Sequence, residues 1–126
     1  MAKVFGFETS KEIDKILHDN FSSYNDPFFD SLRNVTPEGK YNFYKAHITS
    51  AFEKFMSDAN LVSCVISFLK LDLNVSKTSK ICFLHHNTVL YRLDKVKRLT
   101  GLDIKKFEDA YRMRVMLEIF YACRNV

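Results

Sequence analysis

Residues 74–93 have the sequence NVSKTSKICFLHHNTVLYRL, and they give the strongest indication of how the chain folds. Apolar and small side chains recur in it every three or four positions, which is the spacing of one face of a helix. The recurrence is interrupted over residues 83–86, so it predicts a short helix, a turn and a second helix. The two predicted faces are Val75, Thr78, Ser79 and Cys82, then Val89, Leu93 and Val96.

The second helix carries polar and cationic side chains opposite its predicted apolar face. A short helix that supports a second one is the layout of a helix-turn-helix, whose second helix enters a groove of duplex DNA. Arg92 is the strongest candidate for a base or phosphate contact, and Asn87 has the amide that pairs with adenine. The predicted DNA-binding residues are Ser76, Lys77, His85, His86, Asn87, Thr88, Tyr91, Arg92, Lys95 and Arg98.

The main candidates also have structural roles open to them. Asn87 and Thr88 are suited to capping the second helix instead of binding DNA. The Tyr91 ring could close the hydrophobic core, and Arg92 could pair with an acidic neighbour. The caps themselves are undecided between Asn74 and Ser76 for the first helix, and between His85 and Asn87 for the second.

The composition predicts an all-α protein. Of 126 residues, 47% are hydrophobic and only three are glycine and two proline, so a core is available and helix breakers are few. We expect a small helical domain of about six or seven helices with a C-terminal helix-turn-helix. The odd number of cysteines, three, indicates reduced thiols. Residues 1–7 lack the apolar segment typical of a signal peptide and no run approaches about 18 apolar residues, so a cytoplasmic protein is expected.

The predicted helices divide the chain into two regions. Residues 1–60 form an N-terminal region of three helices, and residues 61–126 form the helix-turn-helix domain. The aromatic residues of the first region exceed what three short helices bury, which predicts packing against the second region or dimerisation. The third helix is expected to run to Phe55, with Gly39 delaying its start. Expected boundaries are Thr9, Asp26-Pro27, Thr36-Pro37, Leu61, Thr100-Gly101, and Phe107 to Cys123.

Charge is distributed unevenly between these regions. Residues 1–60 carry seven Lys/Arg against nine Asp/Glu, a net charge of −2, whereas residues 61–126 carry twelve against six, a net charge of +6. A basic region of this kind indicates a surface for a polyanion such as nucleic acid. A solvated basic face without a partner explains the same asymmetry, so charge alone leaves both interpretations open.

Four motifs follow one another in the second region. They are Phe68-Leu69, Asn74-x-Ser76-x-Thr78, Leu84-His85-x-Asn87-Thr88-x-x-Tyr91-Arg92-Leu93, and Leu99-Thr100-Gly101-Leu102-Asp103. From about Leu61 onward the chain thereby resembles the C-terminal helix-turn-helix domain of PucR/CdaR-type bacterial transcription regulators. The resemblance implies transcriptional regulation through double-stranded DNA. It also implies two departures, since His86 and Leu90 stand where relatives usually carry arginine, which weakens the attraction to phosphates.

A homodimer is the expected state, because one recognition helix covers only a short half-site and two copies give usable specificity. The alternative function is a helix-turn-helix-like protein-interaction module that pairs with or antagonises another regulator without binding DNA.

Other functions have weaker support in the residues. Cys82 and His85 have the spacing of a metal-ligand pair, but no second pair lies at zinc spacing. No nucleophile has a Gly-rich elbow and an acidic orienting group nearby. We therefore expect no enzyme activity, no cofactor, no bound metal and no membrane partner. Relatives attach a long sensory region that 60 residues cannot hold, so a small-molecule effector site is not expected within this chain.

Overall fold

A computed structural model of the chain describes residues 3–22 and 26–124. Within these ranges most residues are helical and only four lie in strands, which confirms the all-α prediction. The only strands there are two residues long and form an antiparallel hairpin. In chain order the elements are β1 (Lys3–Val4), β2 (Phe7–Glu8), α1 (Lys11–Phe21), α2 (Pro27–Arg33), α3 (Pro37–His47), α4 (Ser50–Phe55), α5 (Ala59–Lys70), α6 (Val75–Ile81), α7 (His86–Thr100) and α8 (Phe107–Ala122).

The first helix begins one residue later than its sequence pattern predicts. Ser10, not Thr9, is the N-cap of α1, and its hydroxyl oxygen accepts a hydrogen bond from the Ile13 N–H at 3.2 Å. The Thr9 hydroxyl is buried and donates to the Asp14 carboxylate instead. The capping-box prediction for Thr9 was therefore wrong, because a second hydroxyl next to it reaches the free backbone N–H group.

The predicted third helix is divided into α3 and α4. Ile48 adopts an extended conformation after α3, and the Thr49 hydroxyl accepts from the Phe52 N–H at 3.1 Å, which starts α4. This division raises the helix number of the described residues to eight. Gly39 does not delay α3, since the Thr36 hydroxyl caps its N–H at 3.1 Å. The cap offsets the low helix propensity of glycine.

Phe120 of α8 is the centre of an aromatic cluster that joins both halves of the chain. Its ring lies 5.9 Å from Phe7, 6.3 Å from Tyr44 and 6.0 Å from Phe52, measured between ring centroids. Phe120 and Phe52 are fully buried. Aromatic residues of the first 60 positions thus pack against α8, while a boundary at residue 60 and a dimerisation role for this region stay predictions.

Glu118 of α8 is an ionisable side chain that is almost completely buried. Arg33 of α2 places Nη2 3.2 Å from Glu118 Oε2, and Arg114 places Nη2 3.6 Å from Oε1. Burial raises the pKa of Glu118 even though both guanidinium groups favour its charged form. Desolvation therefore outweighs the two ion pairs, and the cluster connects α2 to α8.

No helix in the described ranges is long and apolar enough to cross a membrane. The three cysteines are free thiols, as predicted. Cys64 and Cys123 are buried, and burial raises the pKa of each thiol to about 11. Both thiols are therefore protonated at neutral pH and suited to a structural role in the core.

Candidate nucleic-acid interface

The first helix of the predicted pair is capped by Asn74. Its Oδ1 atom accepts from the Lys77 N–H at 2.9 Å, and its carbonyl oxygen accepts from the Thr78 hydroxyl at 2.8 Å. Thr78 is fully buried. The N-cap that the sequence left open is therefore Asn74 and not Ser76. Ser76 and Lys77 lie exposed in the first turn of α6.

The connection between the two helices spans residues 82–85, one residue earlier than the pattern predicts. Phe83 has a φ of +54°, and the N–H of Leu84 donates to the Ser79 carbonyl at 2.9 Å. His85 is the N-cap of α7, because its Nδ1 atom accepts from the Asn87 N–H at 3.1 Å. The cap that the sequence left open is therefore His85, and Asn87 keeps its side-chain amide exposed.

The apolar face of α7 is the predicted one. Val89 and Val96 are fully buried and Leu93 nearly so. This face packs against α4, α5 and α6. The helix ends at Gly101, whose φ of +79° is a left-handed conformation that glycine adopts at low cost. Packing on three helices and a fixed end determine which side of α7 meets solvent.

The solvent-facing side of α7 carries Asn87, Tyr91 and Arg98. Tyr91 is 59% exposed, so it does not close the core, the structural role that its sequence position left open. The Arg98 guanidinium lies 5.8 Å from the centroid of the Tyr91 ring and its Nε lies 3.1 Å from the Asp94 carboxylate. Such exposed pairs are weak, so Arg98 can exchange this carboxylate for another anion. His86 is also exposed, in the first turn of α7.

Arg92 is turned toward α5 instead of the centre of the solvent-facing side. Its half-buried side chain lines a depression of about 470 Å³ together with Cys64 and Ser67 of α5 and Leu84 of the connection. Within the described ranges no carboxylate forms an ion pair with Arg92, so the acidic neighbour considered from the sequence is not found there. Arg92 thus lies at the edge of the candidate interface, and its role as the main DNA contact stays a prediction.

Thr88 and Lys95 also flank the solvent-facing side. Both are half-buried, and neither the hydroxyl of Thr88 nor the amide of Asn87 caps α7. Lys95 Nζ lies 3.8 Å from Oδ2 of Asp58, the residue that caps α5. The positive charge of Lys95 is therefore partly offset by a carboxylate from a neighbouring helix, which the local sequence does not indicate.

Comparison with known families identifies this arrangement. Residues 61–119 match the model of the PucR C-terminal helix-turn-helix domain. This part of the chain belongs to that family. The match includes α6, the connection and α7 of the PucR-type domain, and it confirms the resemblance carried by the four sequence motifs.

Three curated relatives share this similarity. A purine catabolism regulatory protein of Bacillus subtilis is 33% identical over 70% of this chain and 17% of its own length. A carbohydrate diacid regulator of Escherichia coli is 45% identical over 33% of this chain and 11% of its own length. The DNA-binding transcriptional activator AdeR of B. subtilis is 26% identical over 64% of this chain and 19% of its own length. The chain spans less than a fifth of each of these relatives. No solved structure matches it.

Sequence reasoning missed three exposed residues around the connection of the PucR-type domain. Phe83 is 95% exposed and Ile81 is 63% exposed, and Lys80, which precedes Ile81 in α6, faces solvent as well. A signal for them was present, because residues 73–93 contain no Asp or Glu and neither Ile81 nor Phe83 fits the apolar stripe of α6. An apolar residue outside the stripe, in a stretch without acidic residues, indicates a contact surface.

Proposed function

We propose that this chain is a transcriptional regulator that binds duplex DNA through α7. The observation that carries the proposal is the solvent-facing side of α7, where Asn87, Tyr91 and Arg98 project from a helix fixed by its packing on α4, α5 and α6. Amide and guanidinium groups on such a face can donate to base edges and phosphates. The N-terminus of α7 adds the positive end of the helix dipole, which favours a phosphate.

The charge of the α6–α7 segment and the similarity to curated relatives support the same proposal. Residues 73–93 hold three Lys/Arg and two His with no acidic residue, so the pair of helices presents a positive surface. The curated relatives include a protein described as a DNA-binding transcriptional activator. Within α7 the acidic side chain is Asp94, and Arg98 already lies against it. A polyanion is therefore the partner that suits this surface best.

A titration of the full chain with labelled duplex DNA, followed by fluorescence anisotropy, tests the proposal. We expect the affinity to fall about a hundredfold between 50 and 200 mM salt if about four phosphates are contacted. Lys77→Gln should weaken binding to all sequences and reduce the slope of log K against log salt by about one. Asn87→Ala should instead weaken the preferred sequence by about 1–3 kcal/mol with an unchanged slope.

Lys11→Gln is the matched control, because Lys11 is exposed at the start of α1, away from α6 and α7. Its affinity should equal that of the wild type. Absence of binding to any duplex at low salt would contradict the proposed function.

The second part of the proposal is a homodimer. Three exposed aromatic residues, Phe28, Phe43 and Tyr111, line a depression of about 270 Å³ between α2, α3 and α8. Since α7 is supported by α4, α5 and α6, association through this other surface leaves α7 free to reach DNA. Two copies could then address half-sites one helical turn apart, about 34 Å.

Light scattering across a concentration series tests the dimer. We expect twice the chain mass at concentrations where DNA is bound, and a monomer for Phe43→Ser/Tyr111→Ser, because two aromatic contacts are lost from the depression. This variant should bind a two-half-site duplex about tenfold or more weakly. Phe107→Ser removes an exposed ring outside that depression and should stay dimeric. A monomeric wild type on DNA would overturn this part of the proposal.

A second candidate function has one observation in its favour. Three cations of α7 are partly engaged by the protein itself, since Arg92 faces α5, Lys95 lies near Asp58 and Arg98 near Asp94. A weakened grip on phosphate suits a module that pairs with another regulator and removes it from DNA. The anisotropy titration separates the two functions, because such a module leaves duplex DNA unbound even at low salt.

A further inference from the structure

The connection between α6 and α7 exposes an apolar side chain that makes no buried contact in the core. Phe83 is 95% exposed, more than any other large apolar residue that faces solvent in the described ranges. Ile81, two positions earlier, is 63% exposed. An exposed phenylalanine gains nothing from burial in the folded chain, so its side chain does not hold the turn.

The backbone at Phe83 is also unfavourable for phenylalanine. Its φ of +54° lies in the left-handed region, which asparagine and glycine adopt at lower cost. The turn is held by backbone hydrogen bonds, from the Phe83 N–H to the Lys80 carbonyl and from the Leu84 N–H to the Ser79 carbonyl. Glycine or asparagine would therefore keep these hydrogen bonds at a lower conformational cost, and the phenyl ring contributes nothing to the turn.

The polar side chains around the connection indicate what the ring meets. The cations Lys77 and Lys80 lie exposed on α6, and the imidazole rings of His85 and His86 lie exposed at the start of α7. No acidic residue occurs from position 73 to position 93. An apolar surface framed by cations and free of carboxylates complements duplex DNA, which has apolar deoxyribose faces and thymine methyl groups beside its phosphates.

We propose that Ile81 and Phe83 form an apolar contact surface for duplex DNA beside the N-terminus of α7. This inference rests on the proposed DNA binding and adds a contact that does not depend on charge. Phe83 packs against deoxyribose or a thymine methyl group, and the neighbouring cations bind the flanking phosphates. Because the contact is apolar, it contributes affinity without adding to the salt dependence, which counts only neutralised phosphates.

The test compares Phe83→Ala with the wild type on a short duplex that the full wild-type chain enriches from a randomised library. We expect about a tenfold loss of affinity with the slope of log K against log salt unchanged. Lys80→Gln should instead reduce that slope by about one, because one phosphate contact is lost. Phe107→Ala removes another exposed ring, at the start of α8, and should leave the affinity unchanged.

A duplex with uracil in place of thymine identifies the group that Phe83 meets. If uracil weakens the wild type about as much as Phe83→Ala does, and has no further effect on that variant, the contact is a thymine methyl group. If uracil has no effect while Phe83→Ala still weakens binding, the contact is deoxyribose, and both results support the inference. Phe83→Asn controls for folding, since it should keep or raise the melting temperature and still lose affinity.

Equal affinities of Phe83→Ala and the wild type for the enriched duplex would overturn the inference and leave DNA binding intact. Failure of the wild type to enrich or bind any duplex would overturn both the inference and the proposed function. The two failures are therefore distinguishable in one set of titrations.

Discussion

Replacing Phe120 by alanine should lower the free energy of unfolding by about 3–5 kcal/mol. Phe120 is fully buried, and its ring lies within 6.3 Å of those of Phe7, Tyr44 and Phe52. The substitution removes apolar contacts to three separate elements and leaves a cavity that they cannot all collapse to fill. Urea denaturation followed by circular dichroism measures the loss.

Phe107→Ala is the matched control for this experiment, because Phe107 is 76% exposed at the start of α8. Its effect should stay within about 0.5 kcal/mol. If Phe120→Ala were as mild as Phe107→Ala, the aromatic cluster around α8 would not be the core that joins the two halves of the chain.

Arg33→Met should destabilise the fold by about 3 kcal/mol at neutral pH. The methionine keeps most of the arginine stem but removes the charge 3.2 Å from the buried Glu118 carboxylate. Arg114, at 3.6 Å, remains as the other cation of this cluster. Most of the loss should disappear in Arg33→Met/Glu118→Leu, because an uncompensated buried charge costs more than an apolar replacement of the pair.

The pH dependence of Arg33→Met follows from the raised pKa of Glu118. Because the pKa of Glu118 is raised in the folded state, its contribution to stability is fully present below the unfolded-state pKa of about 4.3. That contribution is lost as pH rises through the folded-state pKa. Arg33→Met raises that pKa further, so the gap between variant and wild type should narrow toward about pH 4, where Glu118 is protonated in both. Thermal unfolding at several pH values measures this gap.

Lys15→Met is the control for Arg33→Met. It breaks the ion pair between Lys15 and Asp19, and both of these side chains are exposed. It should change stability by less than about 0.5 kcal/mol. A gap between Arg33→Met and wild type that stays constant with pH would show that lost packing, and not the charge of Glu118, is responsible.

Local patterns in the sequence were sufficient for the helices of the PucR-type domain. The spacing of Val89, Leu93 and Val96 predicted the buried face of α7, and Gly101 predicted its end. Both features depend on residues within a few positions of each other, where periodicity and backbone preference are direct guides. The polar side of α7 followed from the same argument.

The features that the sequence did not predict depend on contacts between residues far apart in the chain. Lys95 was predicted as a DNA-binding residue from its place on α7, and Asp58 lies beside it only because α5 packs on α7. Arg92 likewise lines a depression against α5, which no local spacing encodes. Ile48 fits the stripe of one long helix, so the break between α3 and α4 is visible only once the Thr49 cap is considered.

The packing of α4 on α7 determines how much of the chain an autonomous helix-turn-helix unit requires. The family match begins at residue 61, whereas α4 (Ser50–Phe55) already covers part of the apolar side of α7. A fragment trimmed to the matched residues would leave that side in contact with water. The smallest self-sufficient piece therefore has to reach back to the Thr49 cap, so the support for α7 is drawn from sequence outside the family's own boundary.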